Sequence, residues 1–150
     1  MGLPELIRYE TESGGKDIDR YRNHFEGLYC NQPIITFDGI VVRFRKTDFD
    51  HCFFESSRRR IKNKDQFSDL RSERIDWIKY ALESRDSDLF EGWDNTRKRY
   101  DSSRRVCLVQ GNYIVVIRLT GKSKAQFVTA YVADSAYTLL KIKQSPVWVA

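Results

Sequence analysis

Four polar side chains of this sequence have the types that phosphodiester cleavage requires. His51 lies in the stretch FDHCFFESSRRR, and Arg118, Thr129 and Tyr131 lie in two later runs of β-forming residues. RNA cleavage without a metal ion needs a base for the 2′-hydroxyl proton, a cation beside the phosphorus and an acid for the leaving oxygen. Histidine suits the acid or base role, and arginine binds phosphate bidentately. Threonine or tyrosine can hydrogen-bond a phosphate oxygen. We therefore predict that these four residues form a catalytic site if the fold brings them together.

Positive charge is concentrated in two blocks that an acidic segment separates. Residues 43–64 and residues 97–124 each contain eight basic side chains, against three and one acidic ones. If the fold brings the blocks together, they form a basic surface suited to phosphates. The alternative interpretation is that both blocks are ordinary solvated faces. The candidate nucleic-acid contacts are Arg58, Arg59, Arg99, Arg105, Lys122 and Lys124.

Turn signals predict an antiparallel meander in the second half of the chain and a hairpin before it. Asp38-Gly39 lies between the β-branched runs of PIITFDGIVVRF, and Gln110-Gly111-Asn112 joins the runs of RRVCLVQGNYIVVIRL. Such turns between apolar runs are typical of hairpins. A further strand, AQFVTAYVA, follows the turn at residues 121–124, whereas residues 84–96 have the composition of a loop.

Two helices are predicted before the meander. The first runs from about Asp48 to Arg60, with Thr47 as its N-cap. Helical spacing places His51, Glu55 and Arg58 on one face of it, where Glu55 can orient the imidazole. The opposite face carries Phe49, Cys52 and Phe53 toward the core.

The second predicted helix covers KDQFSDLRSERIDWIKYALES, with Asp65 as its cap. Charged residues alternate on its exposed side, as is usual for a solvated face. Its apolar stripe consists of Phe67, Leu70, Trp77, Ile78, Ala81 and Leu82.

Alternation along the strands assigns side chains to the two faces of the sheet. The more polar face receives Arg118 together with one row of the last strand. A sheet with one packed face and one face bearing Arg, Thr and Tyr can serve as a platform for RNA, although Thr and Tyr are also simply good strand formers. The row expected to face the helices is Val128, Ala130 and Val132, and the opposite row is Phe127, Thr129 and Tyr131.

Together these elements predict an α+β fold. Residues 1–33 form an N-terminal extension with a short helix at about Asp17 to Phe25. Residues 34–150 form a single α+β domain, in which two helices pack on one face of a three- to four-stranded antiparallel meander. The tail from Tyr137 adds a short helix or an edge strand.

This layout, with the motifs DHCFFESS, KDQFSDLRSERIDWI and FVTAY, resembles the BECR nucleases, which include barnase, EndoU, nuclease colicins and RelE-type RNases. The resemblance covers residues 34–134. It implies a metal-independent RNA endonuclease without a cofactor, often a toxin or effector of a phage or mobile element. It also implies RNA as substrate, with tRNA a frequent target, and an immunity or antitoxin protein as partner.

The resemblance carries roles over by position. His51 matches the histidine of the first helix, and Thr129 with Tyr131 matches the pair on the terminal strand. The basic strand position is open between Arg118, Arg105 and Arg99.

Two other functions fit the same features. A non-catalytic nucleic-acid-binding module would use the same basic surface, and an adaptor or inhibitor of another protein would use the aromatic residues as its contact. Two histidines and three widely spaced cysteines favour neither a zinc site nor a disulfide framework. The sequence shows no long apolar run and no signal-peptide pattern, so we expect a cytoplasmic protein that does not contact a membrane.

Overall fold

A six-stranded mixed sheet forms the centre of the molecule. The computed structural model describes residues 2–55, 66–94, 96–109 and 111–149. The strands are β1 (Ile34–Ile35), β2 (Val41–Arg43), β3 (Phe54–Glu55), β4 (Gln66–Phe67), β5 (Asp88–Asp94), β6 (Arg99–Val109), β7 (Tyr113–Gly121) and β8 (Lys124–Val132). The helices are α1 (Ile18–Phe25), α2 (Thr47–Phe53), α3 (Asp69–Glu73), α4 (Trp77–Glu83) and α5 (Ala136–Lys143), and a π-helical turn covers Glu26–Cys30.

The α+β class is confirmed, but the sheet is larger than predicted and is not purely antiparallel. Its strand order is β1-β2-β8-β7-β6-β5, and β3 pairs with β4 in a separate ribbon. Neighbouring strands of the large sheet are antiparallel except β2 and β8, which are parallel. The predicted hairpin around Asp38-Gly39 is the β1–β2 pair, and Gly39 has a φ of 88°, which favours glycine.

The prediction of a loop at residues 84–96 is wrong, because most of this segment is β5. The acidic residues and the glycine of this segment are typical of a loop, but the segment pairs with β6 from Asp88 to Asp94. The tail covers the other edge of β5, where Phe90 bridges to Val147 and the Glu91 amide donates to the Pro146 carbonyl at 2.8 Å. Pairing with β6 on one side and with the C-terminal tail on the other therefore makes this segment a strand.

The first predicted helix is shorter than expected. α2 ends at Phe53, and Phe54 is extended, with its ring 5.2 Å from that of Phe67 on the neighbouring strand. The buried face is as predicted, but Thr47 is not the N-cap. Instead, the Asp48 carboxylate accepts a hydrogen bond from the Arg45 amide at 2.8 Å. Residues 56–65, including Arg58, Arg59 and the predicted cap Asp65, lie outside the described residues.

The second predicted helix is two short helices rather than one long one. Ser68 caps α3 by accepting from the Arg71 amide at 3.2 Å, and the chain turns at residues 74–76 before α4 begins. This turn buries Ile75 completely and leaves Leu70 57% exposed, so the predicted apolar stripe does not hold along its whole length.

A bulge in β8 changes which side chains face the core. Val116 pairs with Thr129 and Ile117 with Phe127, so Val128 is an extra residue in β8. Before the bulge the alternation is reversed, and Phe127 is buried with its ring 4.7 Å from that of Phe44. The predicted outward direction of Phe127 is therefore wrong. After the bulge, Thr129 and Tyr131 lie on the face away from α1–α4, which we call the outer face.

The N-terminal segment shares the core of the domain. α1 lies where predicted, and the Asp17 carboxylate caps it by accepting from the Arg20 amide at 3.2 Å. Tyr21, Phe25 and Tyr29 are fully buried against α2 and the sheet. The boundary proposed after residue 33 thus does not separate two cores.

The outer face is not an open platform, because α5 covers part of it. Leu139 and Ile142 pack against a small cluster formed by Phe90, Val106 and Ile114. The tail thus begins with a helix and ends with a segment that pairs with the edge of β5, so both predictions for it hold in part. The polar part of the outer face is confined to the strip that α5 leaves uncovered.

Arg105 is a structural residue, and its prediction as a nucleic-acid contact is wrong. Alternation along β6 turns it toward the core, where it is 0% exposed. Its Nη1 donates to Asp38 Oδ2 at 2.7 Å, and its guanidinium carbon lies 4.9 Å from the centroid of Trp148. Burial raises the pKa of Asp38. The hydrogen bonds from Arg105 and Thr36 lower this pKa by more than burial raises it, so it lies below its ordinary value.

Asp38→Asn should lower the free energy of unfolding by about 3 kcal/mol at neutral pH, because it leaves a buried guanidinium uncompensated. Since folding lowers the pKa of Asp38, the pair stabilises the protein above the ordinary pKa of 3.8 and does so less as the pH falls below it. Urea unfolding should therefore show a difference between wild type and variant that shrinks in acid. Asp86→Asn, at an exposed site, is the control, and an equal neutral-pH effect of the two variants would contradict this role.

Candidate functional site

An open cleft of about 790 Å³ lies beside β8, between α2 and the outer face of the sheet. The parallel strand β2 pairs with Lys124–Gln126, and farther along β8 packs against α2 and α3. The cleft extends from the exposed side of α2 across β8 to Arg118 on β7 and Arg104 on β6.

The four predicted catalytic residues line this one cleft. His51 comes from α2, Arg118 from β7, and Thr129 and Tyr131 from β8 beyond the bulge. His51 is exposed because Phe49 and Cys52 turn the other side of α2 into the core. The structure thus brings the set together, and the roles of its members stay predictions.

Two arginines lie directly opposite one another in the cleft. Arg104 of β6 pairs with Arg118 of β7 in the strand register, and both line the cleft. Within the described chain neither has an ion-pair partner, and Arg104 Nε is buried without a hydrogen-bond partner. Like charges directly opposite on a sheet are unfavourable. An anion bound between these two guanidinium groups would remove that repulsion.

Alternation along β6 places Arg104 on the outer face, opposite to Arg105, and a bulge toward β5 begins at the same point. Glu91 pairs with Arg105 and Gly92 with Asp101, so three residues of β6 lie outside the pairing with β5. The Asp101 carboxylate fixes this bulge by accepting from the amide and the hydroxyl of Ser103, at 2.9 and 2.8 Å. Gly92 is needed beside it, because a Cβ there would lie 2.7 Å from the Cβ of Arg104.

The helix side of the cleft contributes a third arginine in a fixed position. Arg71 Nε lies 3.2 Å from a carboxylate oxygen of Glu55, and its Nη1 donates to the Cys52 carbonyl at 3.0 Å. Its guanidinium carbon is 5.7 Å from the ring centroid of Tyr131. The ion pair with Arg71 fixes the Glu55 carboxylate, which is 47% exposed. Glu55 lines the same cleft as His51.

Tyr131 is a neutral hydrogen-bonding group at neutral pH. Burial raises the pKa of its phenol, the charge of Arg71 opposes this, and Asp134 adds to it, so the pKa lies above its ordinary value. A phenol in this state donates a hydrogen bond but does not act as a phenolate base.

Three further predicted nucleic-acid contacts lie away from the cleft. Arg99 is exposed on β6 near the β5–β6 turn, and Lys122 and Lys124 are exposed at the β7–β8 turn. None of the three lines the cleft. They stay predictions as contacts of a longer ligand.

The sequence patterns did not identify three arginines that line the cleft: Arg45, Arg71 and Arg104. Arg104 lies in the second basic block, residues 97–124, but counting charges in a block does not indicate which of its arginines faces the cleft. Arg71 lies in an acidic segment, so charge counting did not select it.

The described residues contain no group of three or more His, Cys, Asp or Glu side chains placed to hold a metal ion. In the same part of the chain, no helix has the length and apolar character needed to cross a membrane. Comparison of the chain with protein families, with curated proteins and with solved structures finds no match.

Arg118→Gln should leave the free energy of unfolding equal to that of wild type or raise it by about 0.5 kcal/mol at low ionic strength, because it removes a repulsive cross-strand pair. Inorganic phosphate, titrated at constant ionic strength, should raise the Tm of wild type but not that of this variant. Arg85→Gln changes an exposed arginine that does not line the cleft and should keep the wild-type response. A full phosphate response in Arg118→Gln would show that the anion does not bind between the two arginines.

Proposed function

We propose that this protein is a metal-independent RNA endonuclease that cleaves by attack of the 2′-hydroxyl. The observation that supports this most is that Arg104 and Arg118, an opposed pair of like charges, line the same cleft as His51 and Tyr131. Proton-transfer groups and phosphate-binding groups thus share one surface, as this reaction requires.

In the reaction the 2′-oxygen attacks the phosphorus and the bond from phosphorus to the 5′-oxygen breaks. One group accepts the 2′-hydroxyl proton and another donates a proton to the departing 5′-oxygen. The products are a 2′,3′-cyclic phosphate and a 5′-hydroxyl. No oxidant or further reactant is needed.

The proposed roles follow from the chemistry of each side chain and from its place in the cleft. Arg104 and Arg118 bind the non-bridging oxygens, because opposed guanidinium groups lose their repulsion around an anion. Tyr131 donates a hydrogen bond as a neutral phenol, and Thr129 does so with its hydroxyl. His51 serves as acid or base, and Glu55, held by Arg71, is the carboxylate available for the complementary role.

The biological setting is proposed from the resemblance to BECR nucleases. It comprises a toxin or effector of a phage or mobile element, RNA such as tRNA as target, and an immunity or antitoxin protein as partner. The resemblance itself rests on the predicted layout and on the motifs DHCFFESS, KDQFSDLRSERIDWI and FVTAY.

A second candidate is an RNA-binding module without cleavage. It is favoured by the ion pair between Glu55 and Arg71, at 3.2 Å, which gives the cleft carboxylate a structural role. Such a module would use the same arginines but would not depend on His51.

The test is incubation of the purified protein with tRNA and total RNA in EDTA, with initial rates measured for each variant. Wild type should cleave, and His51→Ala should lower the rate by about a hundredfold or more, as expected for loss of a general acid or base. Tyr131→Phe should lower the rate less, because one hydrogen bond is lost. His24→Gln is the matched control, since this second histidine contacts Tyr9 and Asp76 outside the cleft.

Three outcomes separate the alternatives. Salt-sensitive RNA binding without cleavage, unchanged by His51→Ala, would establish the binding module instead. Cleavage that requires magnesium would contradict the proposed mechanism. Equal cleavage by wild type and His51→Ala would place the activity elsewhere in the chain.

A further inference from the structure

A second cavity, of about 640 Å³, adjoins the cleft on the outer face of the sheet. It lies between the β5–β6 hairpin and α5, which contributes Lys141 to its wall. Arg104, Thr129 and Tyr131 line both cavities, so the two lie side by side along the sheet. Arg104 is thus within reach of a ligand in either cavity.

Two exposed aromatic rings form the far wall of this second cavity. Trp93 and Tyr100 are cross-strand partners on β5 and β6, with ring centroids 5.1 Å apart at 78°. Trp93 is 49% exposed and Tyr100 39% exposed, so neither ring is used to fill the core. Edge-to-face packing of the pair leaves aromatic surface directed at solvent, which is suited to a further flat ring.

A phosphate and a flat base are two of the three parts of a nucleotide, and the sugar joins them. The opposed arginines supply the anion site, and the aromatic pair supplies a stacking surface on the other side of Arg104. Proteins that bind single strands combine a positively charged groove with aromatic side chains on which bases stack.

We infer that Trp93 and Tyr100 bind, by stacking, an unpaired base of the RNA whose phosphate lies between Arg104 and Arg118. This inference rests on the proposed function for the identity of the ligand. It adds that the substrate is single-stranded at the site, because a base within a duplex is stacked on its neighbours and cannot enter the cavity.

The test uses a short 2′-O-methyl RNA oligonucleotide, which lacks the attacking hydroxyl, so that binding is measured without cleavage. Inorganic polyphosphate of similar charge is the probe without bases. Trp93→Ala and Tyr100→Ala should each weaken oligonucleotide binding about tenfold, the scale of one base stacked on one ring, and should leave polyphosphate binding unchanged. Trp93→Phe, which keeps a ring, should retain most of the affinity.

Tyr137→Ala is the matched control, because Tyr137 is 66% exposed and lines neither cavity. It should bind both probes as wild type does. Quenching of tryptophan fluorescence by the oligonucleotide should also be smaller in Trp93→Phe than in wild type.

Two results would overturn the inference. Oligonucleotide binding by Trp93→Ala and Tyr100→Ala equal to that of wild type would show that the rings contact no base. A parallel loss for both probes would show that the hairpin supports the arginines instead. A failure of the proposed function gives a different result. A protein that binds the 2′-O-methyl oligonucleotide through Trp93 but cleaves no RNA would support the stacking site and contradict the nuclease activity.

Discussion

Arg104 and Arg105 are neighbours in the chain, and the geometry of β6 directs their charges to opposite faces of the sheet. Arg105 is buried and paired with Asp38, which ties the β1–β2 hairpin to the meander. Arg104 is directed outward, opposite Arg118, with no carboxylate in ion-pair contact among the described residues. One charge is thus compensated inside the protein, and the other belongs to the phosphate site that we propose.

Alternation along β6 produces this arrangement, and an irregular part of the same strand lies directly beside it. The bulge changes the pairing with β5 immediately before Arg105, and the Trp148 indole holds it by donating to the Ser102 carbonyl at 2.9 Å. The same tryptophan packs on the guanidinium of Arg105. Trp148 of the C-terminal tail therefore contributes both to the buried ion pair and to the position of Arg104, although it does not line the cleft.

Elements that depend on local sequence patterns could be predicted from the sequence alone. The β6–β7 and β1–β2 hairpins, α1 and the buried face of α2 follow from turn residues and periodicity. The convergence of His51 with Tyr131 could also be anticipated, because it needs only that α2 lie near the last strand. Elements that depend on distant partners could not be predicted: β5 requires β6 and the tail, and the break between α3 and α4 requires a core position for Ile75.

Bulges limited the prediction of the site. Strict alternation put Phe127 on the outer face, and a single extra residue in β8 turns its ring into the core. Alternation places Arg104 opposite to Arg105, but it cannot be carried on to Arg99, because residues 102–104 lie outside the pairing with β5. Charge counting identified the basic block but not the arginine that faces the cleft.

The most direct measurement on the proposed chemistry is mass spectrometry of the new RNA ends formed by the protein in EDTA. Attack by the 2′-hydroxyl predicts a 2′,3′-cyclic phosphate on one fragment and a 5′-hydroxyl on the other. New ends bearing a 3′-hydroxyl and a 5′-phosphate would contradict this account, because they require a water molecule as the attacking group.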